Sequence, residues 1–343
     1  MKSYNIKDER YFKVLGSIAL NEPGFKRVLN DDIKSLEKIN INAARHAYDS
    51  AGIQVRFKTN SKKINIKVSL KVKSNMNNMS SLGQSGVDIY IYHKSLKKYV
   101  FLKSTPYDQK LSTYEFELVN NPKKEFHEYI LNLPLYNSIL DLELFLDSDA
   151  TIIPYTKHND NNIIFYGSSI VQGGTASRAG LLYTNIISRQ IDNEIFNFGF
   201  SASAFLETEM AEIISKVKNP KILVIDAEPN AGVDNKLKDN LEDFIKVFRN
   251  HHKETKILVC SKISYSFEYL DLEAVNRNDS NKNFMIDLVN KLRKTDPNIY
   301  FVDGYDVFGK DFYEYTVDGV HPNDLGAYKL AEFYLNELLK YLK

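Results

Sequence analysis

Residues 161–174 read NNIIFYGSSIVQGG. The run Ile163 to Tyr166 is apolar, β-branched and aromatic, and it stops at Gly167, the pattern of a buried strand entering a tight turn. Ser168 and Ser169 follow, and the pair Gly173-Gly174 lies just beyond. From Leu181 to Ile191 apolar residues recur at helical spacing. A serine therefore stands where a strand of an open α/β sheet hands over to a helix. Such sheets place ligands at the carboxyl ends of their strands, and a helix start adds free N–H groups and a positive dipole end. A hydroxyl here is placed to attack a carbonyl, with N–H groups near the oxygen that becomes negative. Taken alone, the stretch reads equally as two serines that cap a helix.

Downstream, strand and helix patterns alternate. Strands are predicted at IIFYGSS, EIFNFGFS, KILVIDAE, KILVCSK and IYFVDGY, and helices around 180–191, 207–218, 236–250, 282–294 and from about 324 to 342. Strands separated by helices of ~10–15 residues imply right-handed βαβ units and a parallel sheet with helices on both faces, a three-layer α/β/α sandwich. Upstream, residues 1 to about 155 read as mostly β. The runs are GIQVRFKTN, KINIKVSLKV, GVDIYIYHK, KYVFLKS, TYEFELV, FHEYILNLP and ILDLELFL. In the second, Ile64, Ile66, Val68, Leu70 and Val72 share one face, so that strand has a buried and a wet side. About seven short strands with no strong helix between them, parted by turns such as NNPKKE and STPYDQ, predict an all-β sandwich of the jelly-roll kind. Residues 73–84, KSNMNNMSSLGQ, read as a loop. The polar connector TIIPYTKHNDNN, 151–162, marks the change of character, giving a β domain over 1–155 and an α/β domain over 156–343.

A chain of 343 residues suits about two domains. Its 26% charged and 43% apolar residues are ordinary for a globular protein. The net charge of +1 asks for no polyanion, so no nucleic-acid partner is expected. The one cysteine, Cys260, ends an apolar run and reads as a core thiol, since nothing near it in sequence lowers its pKa. His251-His252 reads as a helix C-terminus, where positive charge is favoured. The N-terminus has no apolar signal-peptide core and no apolar run approaches ~18 residues. A cytoplasmic protein with no membrane span is the expectation. No His-x-x-x-His and no Cys pair suggests a metal site, and the sequence sets no oligomeric state.

Four further pieces fall at strand ends or just before the last helix. Gly199 lies in NFGFSASA, Asn230 in DAEPNAG, and Asp318 and His321 in DGVHPNDLG. Each has a bland reading alone: a turn glycine, a turn residue after Pro229, an Asx turn before a helix that Asn323 or Asp324 caps. Together they meet a chemical need. A serine nucleophile requires a base, neutral histidine being the usual one. The histidine requires a carboxylate to fix its tautomer. The tetrahedral oxyanion requires N–H donors. Ser169, His321, Asp318, Gly199 and Asn230 would fill these roles at one sheet edge, with no cofactor. Glu228, Arg178 and Asp88 are candidate substrate contacts. Glu228 sits close before Asn230 but reads equally as a solvated loop carboxylate. Arg178 suits a substrate carboxylate but reads more simply as half of an ordinary salt bridge. Asp88 is either a solvent-facing strand residue or able to reach a cleft between domains.

These residues resemble the sequence blocks of the SGNH hydrolases, or GDSL-like esterases. The first block is similar to Gly167-Ser168-Ser169-Ile170, the second to Gly199, the third to Asn230, and the last to Asp318-x-x-His321, over roughly residues 160–343. The resemblance implies a flavodoxin-like α/β/α fold with Ser169 as nucleophile, His321 as base and Asp318 as its partner. It also implies an oxyanion hole of the Ser169 and Gly199 N–H groups and the Asn230 amide. Two positions depart from the family pattern. Ser168 replaces the Asp usual before the nucleophile, which puts a second hydroxyl beside Ser169, and Glu228-Pro229-Asn230 replaces the usual Gly-x-Asn-Asp form. Gly86-Val87-Asp88-Ile89-Tyr90 resembles the Gly-x-Asp-Leu-Tyr motif of a β domain that precedes a subgroup of these hydrolases. That implies a two-domain serine esterase acting on a short acyl ester, acetyl above all, of a carbohydrate or similar small molecule. An acyltransferase using the same acyl-enzyme and an inactive glycan-binding protein are the alternatives.

Overall fold

The computed structural model describes residues 1–106, 108–156 and 159–342. Tyr107, in the predicted turn STPYDQ, and Lys157 and His158, in the predicted connector, lie outside them. The N-terminal part holds two antiparallel sheets. One joins β1 (Lys2–Asn5), β4 (Lys63–Leu70), β7 (Thr113–Asn120) and β9 (Ile139–Leu146) in the order β1-β9-β4-β7. The other joins β3 (Gln54–Thr59), β5 (Asp88–His93), β6 (Lys98–Ser104), β8 (His127–Asn132) and β10 (Ile152–Pro154) in the order β10-β3-β8-β5-β6, with β2 (Lys13–Leu15) on β3. Ile64, Ile66, Val68 and Leu70 of β4 point inward and pack in one core with Val55, Ile89, Leu131 and Leu144. Val72, assigned to the same face, is exposed because the strand ends at Leu70.

This part is not purely β. Helices α1 (Asn30–Ile39) and α2 (Ile41–Ala47) lie ahead of β3, and a short α3 (Ser81–Ser85) closes the loop after β4. The Asn40 side chain accepts the Ala43 N–H and caps α2. Ile33, Leu36, Ala43, Ala44 and Ala47 are buried, but against Ile164, Tyr166 and Phe198 of the second part. The α/β core therefore draws on residues that the sequence assigned to the first domain.

The second part has five parallel strands: β11 (Asn162–Gly167), β12 (Ile195–Gly199), β13 (Pro220–Asp226), β14 (Lys256–Cys260) and β15 (Ile299–Val302). Their order is β12-β11-β13-β14-β15, the 2-1-3-4-5 order of the flavodoxin-like fold. Along β11 successive side chains go to opposite faces. Ile164 and Tyr166 meet α6 (Thr208–Ile214) and α8 (Lys236–His251), whereas Ile163 and Phe165 meet α5 (Tyr183–Ser188) and α10 (Asp324–Leu339). Burial on both faces explains why the run is apolar without alternation. Two short helices, α4 (Ser169–Gln172) and α7 (Glu228–Ala231), follow β11 and β13 directly. Cys260 is a buried, free thiol. The long α9 (Leu272–Leu292) begins well before the predicted 282. Its first half buries Asn278 and Asn281, so its inner face lacks the apolar spacing that marks a helix. Neighbours of β11 lie on both sides, so the chain leaves it at the topological switch point, where ligands bind. No helix among the described residues is long and apolar enough to cross a membrane.

Candidate active site

Ser168 and Ser169 divide the two roles that their sequence left open. Ser168 is the N-cap of α4; it is fully buried and its hydroxyl accepts the Ile170 N–H at 3.3 Å. Ser169, 8% exposed, turns the other way, and its Oγ lies 2.8 Å from His321 Nε2. The chain then doubles back, with the Gly173 and Gly174 N–H groups both donating to the Ser169 carbonyl. A Cβ on Gly174 would stand 3.0 Å from the His321 ring and 3.1 Å from the Tyr136 hydroxyl, tight enough that these neighbours would have to give by a few tenths of an ångström.

His321 and Asp318 share the loop that enters α10. Asn323 caps that helix by accepting the Gly326 N–H, and the Val317 N–H donates to the His321 carbonyl, which pins the loop at both ends. His321 Nδ1 lies 2.8 Å from Asp318 Oδ2. A carboxylate only accepts, so Nδ1 carries the proton and Nε2 accepts from Ser169. The other Asp318 oxygen, Oδ1, accepts the Val320 and His321 N–H groups at 3.2 and 2.8 Å. Partial burial pushes the Asp318 carboxyl up. Hydrogen bonds from the His321 backbone and ring, the ring's charge and the Asn78 amide outweigh it, and the carboxyl is held down at about 2.

On the turns that follow β11, β12 and β13, three N–H groups have no partner among the described residues. They are the Ser169 N–H in the first turn of α4, the Ala202 N–H, and the Asn230 side-chain amide. Asn230 is oriented by its oxygen, which accepts the Ala204 N–H at 3.2 Å and leaves Nδ2 free. Ala202 sits at φ 53° in the turn that follows β12. That turn is tied to the serine strand, because the Phe200 N–H donates to the Gly167 carbonyl at 2.8 Å. Gly199 does not match its expected role. Its N–H is donated to Asn197 Oδ1 at 3.0 Å and its carbonyl accepts from the buried Arg27 at 2.6 Å. Gly199 is there for packing: a Cβ would lie 2.1 Å from the Gln172 nitrogen.

Residues 160–339 match the GDSL-like lipase/acylhydrolase family, more than half of the chain. The chain belongs to that family. Residues 3–152 match the GxDLY domain, the N-terminus of SGNH-hydrolase-type esterases. The protein is thus a carboxylic ester hydrolase of the SGNH type. A Bacteroides ovatus protein described as a GDSL-like lipase is similar at 28% identity and a TM-score of 0.89, over 99% of this chain and 98% of that one. The salicylyl-acyltransferase SsfX3 of a tetracycline biosynthetic pathway shares the fold at 17% identity and a TM-score of 0.81, over 99% and 98%. A family two carbohydrate esterase from Clostridium thermocellum, solved with cellohexaose, shares it at 14% identity and a TM-score of 0.63, over 85% and 94%. No curated protein matches the sequence.

The three candidate substrate contacts of this hydrolase are engaged elsewhere. Asp88, 1% exposed, accepts the Arg178 guanidinium at 2.8 Å, the Gly180 N–H at 2.7 Å and the Asn132 amide at 2.7 Å. Arg178 in turn stacks on the Phe101 ring at 3.8 Å and donates to the Tyr90 hydroxyl. The motif of the β domain is thus a clamp on the α/β domain, with no carboxylate left for a ligand. Glu228 is buried and accepts the Lys262 N–H at 2.7 Å and the Tyr305 hydroxyl at 3.0 Å. Burial pushes its carboxyl up against these donors. Its place is to brace the α7 turn that carries Asn230. Sequence reasoning missed Ala202, whose signal was the small-residue run SASA, and Tyr136 and Asn78, which the β domain brings to the site. The Tyr136 hydroxyl donates to the Ser169 carbonyl at 3.4 Å. Among the described residues no group of three or more His, Cys, Asp or Glu side chains is arranged to hold a metal ion.

Proposed function

We propose that this chain is a serine esterase that removes a short acyl group, acetyl above all, from a carbohydrate or similar small molecule. The observation that carries the reading is the unbroken relay from Ser169 Oγ through His321 to Asp318, at 2.8 Å for each link. His321 Nε2 takes the hydroxyl proton as Ser169 Oγ bonds to the acyl carbon. Asp318 stabilises the imidazolium that results. The carbonyl oxygen becomes an oxyanion facing the Ser169 and Ala202 N–H groups and the Asn230 amide. The ester C–O bond then breaks, and the imidazolium returns its proton to the leaving alcohol. Water repeats the sequence on the acyl-enzyme, giving the acid and free Ser169. Ser169 is only 8% exposed, which supports a short acyl group. The fold held in common with a carbohydrate esterase solved in complex with cellohexaose supports a sugar as the alcohol.

The acyl-enzyme is equally open to an acceptor hydroxyl in place of water, the chemistry named for the salicylyl-acyltransferase of the same fold. Product analysis with and without an added alcohol separates transfer from hydrolysis. The reading itself is tested with p-nitrophenyl acetate. Ser169→Ala should lose about 10³-fold or more in kcat, since only oxyanion and binding effects remain. Ser168→Ala should lose far less. A serine-directed phosphonate found on Ser168 by mass spectrometry would overturn the assignment.

A further inference from the structure

The loop between β4 and α3 belongs to the β domain but ends on the α/β domain. It is anchored along its length. Gln84 Oε1, itself buried, accepts the Asn75 and Met76 N–H groups at 3.0 and 3.1 Å. Met79 is buried in the α/β core with Ala176 and Ile170. The Ser80 hydroxyl donates to the Ser177 carbonyl at 2.5 Å. Between these anchors Asn78 Nδ2 donates to Asp318 Oδ2 at 3.2 Å, the same oxygen that takes the His321 ring N–H.

We propose that Asn78 is a positioning residue for the relay, so that the β domain completes the active site. The inference rests on the triad reading above. Asp318 lies on an exposed loop, its side chain 31% accessible. Its own loop supplies two backbone N–H groups to Oδ1, but only the His321 ring to Oδ2. A carboxylate held this way can tilt about its last side-chain bond and let Oδ2 drift from the ring. The Asn78 amide is the donor from outside the loop that opposes this tilt. A neutral amide suits the role. It fixes the carboxylate without a positive charge that would compete with the imidazolium for it. The other titratable group facing Asp318 from a neighbouring element is Tyr265, on the loop that follows β14.

The test uses the full-length protein and p-nitrophenyl acetate. Asn78→Ala should lower kcat about ten-fold, the loss suited to one hydrogen bond to a charged group, and leave KM within about two-fold. Asn78→Asp keeps the shape but turns a donor into an acidic acceptor. It should be slower than Asn78→Ala, and the second negative charge beside the imidazolium should move the acid limb of kcat/KM to higher pH. In the background of Asp318→Asn, adding Asn78→Ala should cost little more, because both act through one carboxylate. Wild-type kcat in Asn78→Ala would overturn the proposal, as would a loss confined to KM, an unmoved acid limb in Asn78→Asp, or full additivity with Asp318→Asn. Ser169→Ala is run alongside. If it retains activity the triad reading fails; if it is dead while Asn78→Ala is normal, only the present inference fails.

Discussion

Asp226 offers a sharp physical test of how the sheet edge is built. It ends β13, is 5% exposed, and accepts the Tyr334 hydroxyl at 2.9 Å. Burial, opposed by that hydrogen bond and reinforced by the nearby Glu228 charge, pushes its carboxyl up from 3.8 to about 7. An unfolded chain releases this proton near pH 4, whereas the folded protein keeps it until about pH 7. Between those limits the native state binds more protons, so the Asp226 contribution makes stability fall as pH rises from about 4 to 7 and level off above. Three pH units at 1.36 kcal/mol each give on the order of 4 kcal/mol across the window. Asp226→Asn keeps an acceptor for Tyr334 and removes the charge. An amide in that pocket has its own packing and hydrogen-bond costs, but these do not vary with pH. The difference in midpoint between variant and wild type should therefore drift in favour of the variant by several degrees from pH 4 to pH 8. The chain has 22 Tyr and no Trp, so near-ultraviolet tyrosine dichroism in a thermal scan reads the transition. A midpoint difference that stays constant over that range would refute the buried-carboxyl argument.

Other outcomes follow from the same geometry. Because Asp318 is held at about 2, it stays ionised across the working range and contributes no acid limb above about pH 4. A kcat/KM limb above about pH 4 that disappears in Asp318→Asn would refute this. Asp318→Asn should stay folded but lose on the order of 10³- to 10⁴-fold in kcat, since the amide favours the wrong tautomer. Asn230→Ala should lower kcat by about 10²- to 10³-fold with KM little changed, the cost of one oxyanion donor; an effect on KM alone would make Asn230 a binding residue. Asp88→Ala strands the Arg178 guanidinium and the Gly180 N–H at the domain boundary and should cost about 3–5 kcal/mol of stability. A variant with its thermal midpoint intact and its KM raised would instead make Asp88 a substrate contact.

Much of the α/β half was legible because its strands are buried on both faces. Runs such as KILVID and KILVC leave no doubt about strand type, and their alternation with helices fixes a parallel sheet. What stayed hidden had polar or short signals. In α9 the buried face carries Asn278 and Asn281, so the apolar period vanishes where the helix begins. Helices α1 and α2 bury small and sparse apolar residues against a core far along the chain, a pairing that no local pattern encodes. At the site, Ser169, Asp318 and His321 stand out as candidates in the sequence because a serine relay demands residue types and an order, and their side chains lie within hydrogen-bond distance of one another. The oxyanion donors could not be fixed as well, because a backbone N–H belongs to any residue. Gly199 and Ala202 differ only in which of them the Asn197 amide has already occupied.

The segment 174–181 explains why the β domain matters to the chemistry at all. It leaves the nucleophile turn at Gly174, packed against the His321 ring. Thr175 then donates to the Pro322 carbonyl at 2.8 Å, and Ser177 binds Asp324 through its N–H at 2.9 Å and its hydroxyl at 2.6 Å. Those contacts fix the loop of the base at its exit into α10. The Ser177 carbonyl takes Ser80 of the β domain, and Arg178 and Gly180 are seized by Asp88. One short stretch thus joins the serine, the histidine loop and the β-domain residues Ser80 and Asp88. A shift of the β domain would be felt at the serine–histidine distance, where displacement of about 1 Å can cost on the order of 10²-fold in rate. That sensitivity accounts for a buried acid–guanidinium pair at the domain boundary: such pairs are weak sources of net stability but are strongly disruptive when broken. A clamp of that kind is better suited to fixing the register of two domains than to holding them together, and it is register that the Asn78 to Asp318 contact requires.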